Sequence, residues 1–357
     1  MKRNLSHLEP FSVGSHTVSS QKCPLFLPDI GTFFNQDISL AISMIDTLKR
    51  AGIKIIKGEI LHTTGICLPG DHAEKYLSSD RETIISENYL KLIQRKIISL
   101  NDYSKIFDYC HKQKMEIVVS VYDNEGAFFA KEHGAVALKV SSSNITHNPL
   151  ISTIATLNLP MIIDTGHSTI AEAVRAVGWC RASGENRIIV QHSPPAPPSR
   201  VEEHNLNLML NIGSSCNTFY GLSDHHSGSE MLIAASALGA AVIEKGVYPR
   251  GLKNEQDLNH ALCIDNVETA YKAVQTAHFA LGSGNDRDLT NKPKYISRMC
   301  LVAKRDLLSN DTLSLDNVTF AFPPLGIGCE YWPEVVGKKI IKPVNKGSVV
   351  SWQDINI

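Results

Sequence analysis

The chain has 357 residues, 43% hydrophobic and 20% charged, with a formal net charge of −1, which is ordinary for a globular enzyme of one large domain plus a small one. Basic residues are dispersed along it, so no global field recruits nucleic acid or an anionic membrane. Apolar runs such as "MLIAASALGAAVI" (231–243) are too short for a bilayer, the start "MKRNLSHLEP" has no secretory h-region, and eight cysteines without a CxxC pair point to reduced thiols in a cytoplasmic protein.

From residue 24 onward, short apolar runs alternate with helical patterns. "PLFLPDIG" (24–31) reads as a strand and "ISLAISMIDTLKRAG" (38–52) as an amphipathic helix ended by Gly52. "IKIIKGEI" (53–60) is the next strand, followed by about 30 polar residues, too many for an ordinary βα loop and therefore a candidate active-site insertion. A helix is predicted over 99–114, capped by Ser99 or Asn101, then a strand over 115–122, a helix over 124–134 and a strand over 135–143 that runs into a serine-rich loop. Strands at 159–166 and 186–193 flank a helix at 168–184 whose "STIAE" start resembles a capping box. A proline-rich loop, a helix near 202–211, the strand "NTFYGLSDHH" (217–226), a helix at 229–239, a strand at 240–246 and a helix at 267–282 complete the series. Eight continuous apolar strands suit a parallel sheet buried on both faces, and the length and rhythm suggest a (β/α)8 TIM barrel over 1–282. A linker is expected at 283–293, and 294–357, rich in short strands and turns, reads as a small separate β-rich domain.

In such a barrel the active site lies at the C-terminal ends of the strands. Polar residues there are Asp29, Lys57 with Glu59, Ser120, Lys139 with Ser141 and Ser142, Asp164, His192, Asp224 with His225, and Glu244 with Lys245. Taken singly, a strand-end lysine is more often solvated or salt-bridged than functional, and a lone histidine is more often a hydrogen-bonded structural residue. As a set they say more. Lys57 and Lys139 suit a clamp on phosphate or carboxylate, and His192 with His225, with an acid or waters, suits Mn²⁺, Mg²⁺, Fe²⁺ or Zn²⁺. His226 points away if the strand alternation persists, and His167 belongs near the rim.

Two stretches carry a resemblance. "KVSSSNITHNPLISTIATLNLPMIIDTGHSTIAEAVRAV" and "GLSDH" followed by "ALGAAVIEK" are similar to the sialic acid synthases, the makers of N-acetylneuraminic, legionaminic and pseudaminic acids. The tail "SRMCLVAKRDLLSNDTLSLDNVTFAFPPLGIGCEYWPEVVGKKI" resembles their C-terminal antifreeze-like (SAF) domain. The resemblance implies an enzyme that condenses phosphoenolpyruvate with an aldose, usually of the N-acetylmannosamine type, and releases phosphate. It further implies Mn²⁺ or Mg²⁺ on His192 and His225, phosphoenolpyruvate contacts from Lys57, Lys139 and Ser142, and Asp29 assisting water addition or proton transfer. A homodimer is implied, with the C-terminal domain swapped over the partner's barrel.

The departures fall on the sugar-facing side. Glu59 stands for a family glutamine, Asn144 for a glutamate, Asp164 for a serine and Phe322 for an arginine, while "HSPPAPPSR" replaces "H-C-T-S-x-Y-P" and "EKG" replaces "E-K-H". Glu59, Asn144, Asp164, Asp224, Lys245 and Phe322 are thus expected at the substrate, around an acceptor that differs from the usual sugar. The alternative is a catalytically weakened paralogue that binds a sugar or a partner protein.

Overall fold

The computed structural model describes residues 7–78, 82–194, 199–253, 255–282 and 297–356. Eight strands form a closed parallel barrel: β1 (Leu25–Asp29), β2 (Ile55–Ile60), β3 (Glu116–Val121), β4 (Ala137–Val140), β5 (Met161–Asp164), β6 (Ile188–His192), β7 (Phe219–Asp224) and β8 (Val242–Tyr248). Each pairs with the next, and β8 pairs with β1 to close the ring. β1, β4, β5, β6 and β7 are buried along their whole length, because side chains on one face fill the barrel and those on the other meet the helices. The TIM barrel read from the sequence is therefore the fold.

Eight helices surround it: α1 (Ile38–Arg50), α2 (Leu100–Lys112), α3 (Asn124–Glu132), α4 (Asn148–Ala155), α5 (Ile170–Ala182), α6 (Asn207–Cys216), α7 (Glu230–Ala237) and α8 (Val267–Ala280). Their starts are written locally. The Asp37 carboxylate accepts from the N–H groups of Ser39 and Leu40, the Ser99 hydroxyl caps α2, and Thr169 with Glu172 forms a reciprocal capping box on α5. α1 ends as expected where Gly52 turns to φ +83. Helix α4 departs from the serine-rich loop expected there. It starts on an unusual cap, a His147 ring nitrogen accepting from the Leu150 N–H, with a proline in its first turn.

Two additions were not legible as elements. A hairpin of Phe11–Val13 with His16–Val18 is held to the start of β3 by the Ser15 N–H and hydroxyl, both donating to Glu116. The insertion after β2 is a second hairpin, Ala73–Leu77 with Ile84–Asn88, followed by a short helix, Tyr89–Gln94.

The chain divides into two compact units, Met1–Gly282 and Ser283–Ile357. The second is a small β-rich fold with an antiparallel pair, Cys300–Ala303 with Val318–Ala321, and bridges such as Leu307 to Val344 and Ile340 to Ile355. Its own core includes Leu301, Leu313, Ile327, Val335 and Val350. The linker expected at 283–293 lies outside the described residues.

Candidate active site

Side-chain alternation along the strands decides what faces the barrel interior. The register pairs Asp29 with Lys57, Glu59 with Ser120, Ser120 with Lys139, Asp164 with Gln191, and Ser223 with Glu244. Residues so paired point the same way, and they converge at the C-terminal mouth of the barrel. There all of them but Gln191 line a cavity of about 240 Å³ together with Ser142, His167, His225, Asp257 and His260.

Two lysines form the floor. The Lys57 ammonium is 1% exposed. It donates to Asp29, in a very short contact, and lies 3.5 Å from Glu59 and 3.4 Å from Glu244. Lys139 donates to Asp164 and to Glu244, each at 2.7 Å, and to the Ser223 hydroxyl at 3.3 Å. The Lys139–Glu244 pair crosses the barrel from β4 to β8. Burial opposes both lysine charges, but the surrounding carboxylates outweigh it and hold both above the ordinary value. Burial likewise opposes ionisation of Asp164 and Glu244, yet the lysines keep both below theirs. Asp29 goes the other way, pushed up to about 6 by burial against the pull of Lys57. The floor thus holds four carboxylates against two ammonium groups. That excess of negative charge favours a cation or a proton beside the lysines.

His225, just past β7, lines the cavity. Its Nδ1 donates to the Pro194 carbonyl at 3.0 Å, which leaves the Nε2 lone pair available, 3.5 Å from the Ser193 hydroxyl. His192 has the opposite strand parity to Gln191, so it is buried behind the wall rather than lining it. Its Nε2 donates to the His204 carbonyl at 2.6 Å, which leaves Nδ1 as the lone-pair nitrogen. Burial lowers its pKa, so the ring stays neutral. Carbonyls that fix one imidazole nitrogen as donor are the usual second shell of metal-binding histidines. Each ring thus offers a lone pair of the kind a borderline divalent ion takes, but only His225 offers it to the cavity, so the two-imidazole site expected from the sequence is not assembled there. Among the described residues no group of three or more His, Cys, Asp or Glu side chains is arranged to hold one.

Of the residues singled out from the sequence, Asp29, Lys57, Glu59, Lys139, Ser142, Asp164, Asp224 and His225 line this cavity. Lys245 does not; it is fully buried and donates to Asp224 at 2.6 Å and to the His226 carbonyl. Asn144 lines a neighbouring cavity of about 340 Å³ with Tyr122 and Asp123. The two cavities adjoin through Tyr122, whose hydroxyl donates to Glu59 at 3.2 Å. Phe322 belongs to the second unit and is 56% exposed. The His226 ring meets His204 edge-on and approaches Glu230 at 3.3 Å.

Sequence reasoning missed His204 and Ser223, and named Asp257 and His260 only as part of "DLNHALC", the stretch that stands for a family "D-H-K-A-S" element. Strict alternation back from the β7 end would have found Ser223. His204 anchors the stretch after the proline-rich loop by placing Nε2 3.5 Å from Asp224. Asp257 and His260 sit in the loop after β8, where no periodic signal reaches them.

A closed (β/α)8 barrel with a cavity of paired lysines, carboxylates and histidines at its C-terminal mouth, followed by a small β-rich unit, defines a class of two-domain barrel enzyme. The NeuB family matches residues 44–286 and the SAF domain matches residues 298–356; the chain belongs to the NeuB family. It is 24% identical to a pseudaminic acid synthase of Helicobacter pylori, over 93% of this chain and 98% of that protein. It is 26% identical to an N,N'-diacetyllegionaminic acid synthase of Campylobacter jejuni, over 92% of this chain and 99% of that protein. Among solved structures, the N-acetylneuraminic acid synthetase of Leptospira borgpetersenii superposes with a TM-score of 0.68 at 20% identity, covering 80% of this chain and 94% of that one. No helix among the described residues is long and apolar enough to cross a membrane.

Proposed function

We propose that the chain condenses phosphoenolpyruvate with an aldose to give a sialic acid-like nonulosonic acid and phosphate. The observation that carries this reading is the pair of buried lysines, Lys57 and Lys139, beside Ser142 at the mouth of a NeuB-family barrel. When the anion enters, Lys57 and Lys139 exchange carboxylate partners for phosphate or carboxylate oxygens, and the Ser142 hydroxyl donates to it. His225, the histidine of the expected pair that lines the cavity, would hold Mn²⁺ or Mg²⁺, which would polarise the acceptor's carbonyl oxygen as a Lewis acid.

C3 of phosphoenolpyruvate joins the aldehyde carbon, water adds at C2, and the hemiketal phosphate collapses with cleavage of the C–O bond. Asp29 takes the proton of that water; its carboxyl, brought up to about 6 by burial, supports this role. The acceptor differs from N-acetylmannosamine, since Glu59, Asn144 and Phe322 stand where the resemblance implies other sugar contacts. The working form is a homodimer whose second unit covers the partner's cavity. All eight cysteines are free thiols, which suits the cytoplasm.

The test is phosphate release from phosphoenolpyruvate across N-acetylmannosamine, its 6-deoxy diamino relatives and simple aldoses, with and without Mn²⁺. Release that depends on an acceptor supports the reading, and no release with any acceptor overturns it. Turnover of N-acetylmannosamine above every other acceptor would overturn the altered specificity alone.

A further inference from the structure

The barrel carries a second cavity at its other end. It lies at the starts of β1 and β2, where the hairpin through His16 and helix α8 meet the barrel, and its volume is about 260 Å³. It is thus as roomy as the active-site cavity of about 240 Å³, and the two share no lining residue. The N-terminal face of such a barrel ordinarily carries packing and stability rather than chemistry. An open space of this size there calls for an occupant.

Three features of the wall describe that occupant. The first is aromatic: the buried Phe26 ring stacks on Tyr271, with centroids 5.7 Å apart and planes 17° from parallel. The second is an unmet hydrogen bond. His16 lines the cavity, and its Nε2 is shut off from water with no partner among the described residues, a state that buried polar atoms rarely keep. Burial, helped by the nearby Lys22 ammonium, holds this ring below its ordinary pKa, so it is neutral at pH 7. The third is charge. Lys54 lines the cavity and no aspartate or glutamate does. Glu116, the carboxylate beside the hairpin, lies outside the lining and is taken up by the Ser15 N–H and hydroxyl at 2.9 and 2.6 Å. The field inside therefore favours an anion.

We propose that this cavity is a second binding site, for a small aromatic carboxylate. The ligand's ring extends the Phe26–Tyr271 stack. Its carboxylate pairs with the Lys54 ammonium and accepts from His16, in the tautomer that carries its proton on Nε2. A cationic ligand would meet Lys54 with no counter-charge on the wall. A polyol would leave its hydroxyls against the apolar side chains of Leu25, Phe26 and Ile53. The site stands apart from the condensation proposed above, and neither reading depends on the other.

The experiment titrates benzoate, benzyl alcohol and benzylamine into the full-length protein and follows binding by saturation-transfer NMR. These probes share one ring and differ in charge. Benzoate should bind with a Kd on the order of 1 mM, benzyl alcohol about tenfold more weakly, and benzylamine not at all. K54E reverses the charge at an exposed position, and H16F keeps a ring while removing the nitrogen. Each should weaken benzoate about tenfold or more, and thermal melting identifies the variants that keep the fold. Should one of them fail to fold, the other decides. No benzoate binding up to about 20 mM, or benzylamine binding as well as benzoate, overturns the proposal. A folded variant that keeps benzoate affinity within about twofold places the anion elsewhere and overturns it too.

Discussion

Lys139 shows how much one buried charge can hold together. Its ammonium sits 2.7 Å from both Asp164 and Glu244, and all three side chains are almost fully buried. K139A therefore removes the anion contact and also leaves two carboxylates without their cation. Calorimetry should show phosphoenolpyruvate binding weakened about ten- to a hundredfold, and thermal melting should show a separate loss of stability of about 3 kcal/mol. Unchanged affinity would take Lys139 out of the anion site. His225 makes a contrasting case. It lies past the end of β7, where its half-buried ring has a hydrogen bond to Pro194, a long contact to Ser193 and a tilted contact with the His260 ring. H225A should abolish Mn²⁺ binding in calorimetry and leave the melting temperature nearly unchanged, because little packing is lost. Full Mn²⁺ affinity in H225A would remove the metal assignment.

At the scale of elements, the insertion after β2 is tied to the loop after β8 by a partly buried network centred on Glu255 and Lys96. Arg95 reaches Glu87 at 3.1 Å and Glu255 at 2.9 Å, Lys96 reaches Glu255 at 2.5 Å, and the Tyr76 hydroxyl donates to Glu87 at 3.0 Å. Burial opposes ionisation of Glu255, but Lys96 and Arg95 outweigh it and hold the carboxyl below its ordinary value. The sign follows from linkage. A carboxyl depressed in the fold contributes stability above its unfolded pKa of about 4.3, and that stability is lost as pH falls through the lower folded value. The parent protein should therefore lose protection of the insertion below about pH 4.3 in hydrogen exchange. E255Q should lack that pH dependence and be less stable by about 3 kcal/mol at neutrality, because Lys96 is left buried without a counter-charge. An E255Q protein as stable as the parent at pH 7 would mean that the network does not brace the loop.

At the scale of the whole molecule, the two compact units have separate cores, one built on the barrel and one on Leu301, Ile327, Val350 and their neighbours. A chain ending at Gly282 should therefore keep the far-ultraviolet circular dichroism of an α/β barrel and unfold cooperatively. If the second unit covers a partner's cavity, that shortened chain should lose phosphate release before it loses barrel structure. A shortened chain with full activity would defeat the swapped arrangement.

How much was legible in advance follows the range of the physics involved. Strand and helix order rests on local periodicity, capping on residues three apart, and helix termination on one glycine, so Ser99, Thr169 and Gly52 declared their elements before any contact was known. The ring of polar residues at the strand ends was legible for the same reason, since the barrel's topology dictates which end carries chemistry. Helix α4 was hidden because its cap is a histidine in a serine-rich stretch, a combination with no strong local preference. Strand parity turned Gln191 inward and His192 behind the wall, a distinction of one residue that no apolar run resolves. The partners of Lys57 and Lys139 come from strands far apart in the chain, and the ion pair of Arg95 with Glu255 joins residues 160 positions apart in sequence. Sequence by itself determined the elements, their order and the kinds of groups at the mouth of the barrel, because those depend on near neighbours along the chain. Only the tertiary structure decided which carboxylates pair with which lysines, because burial and charge pairing are set by distances that the chain closes only when it folds.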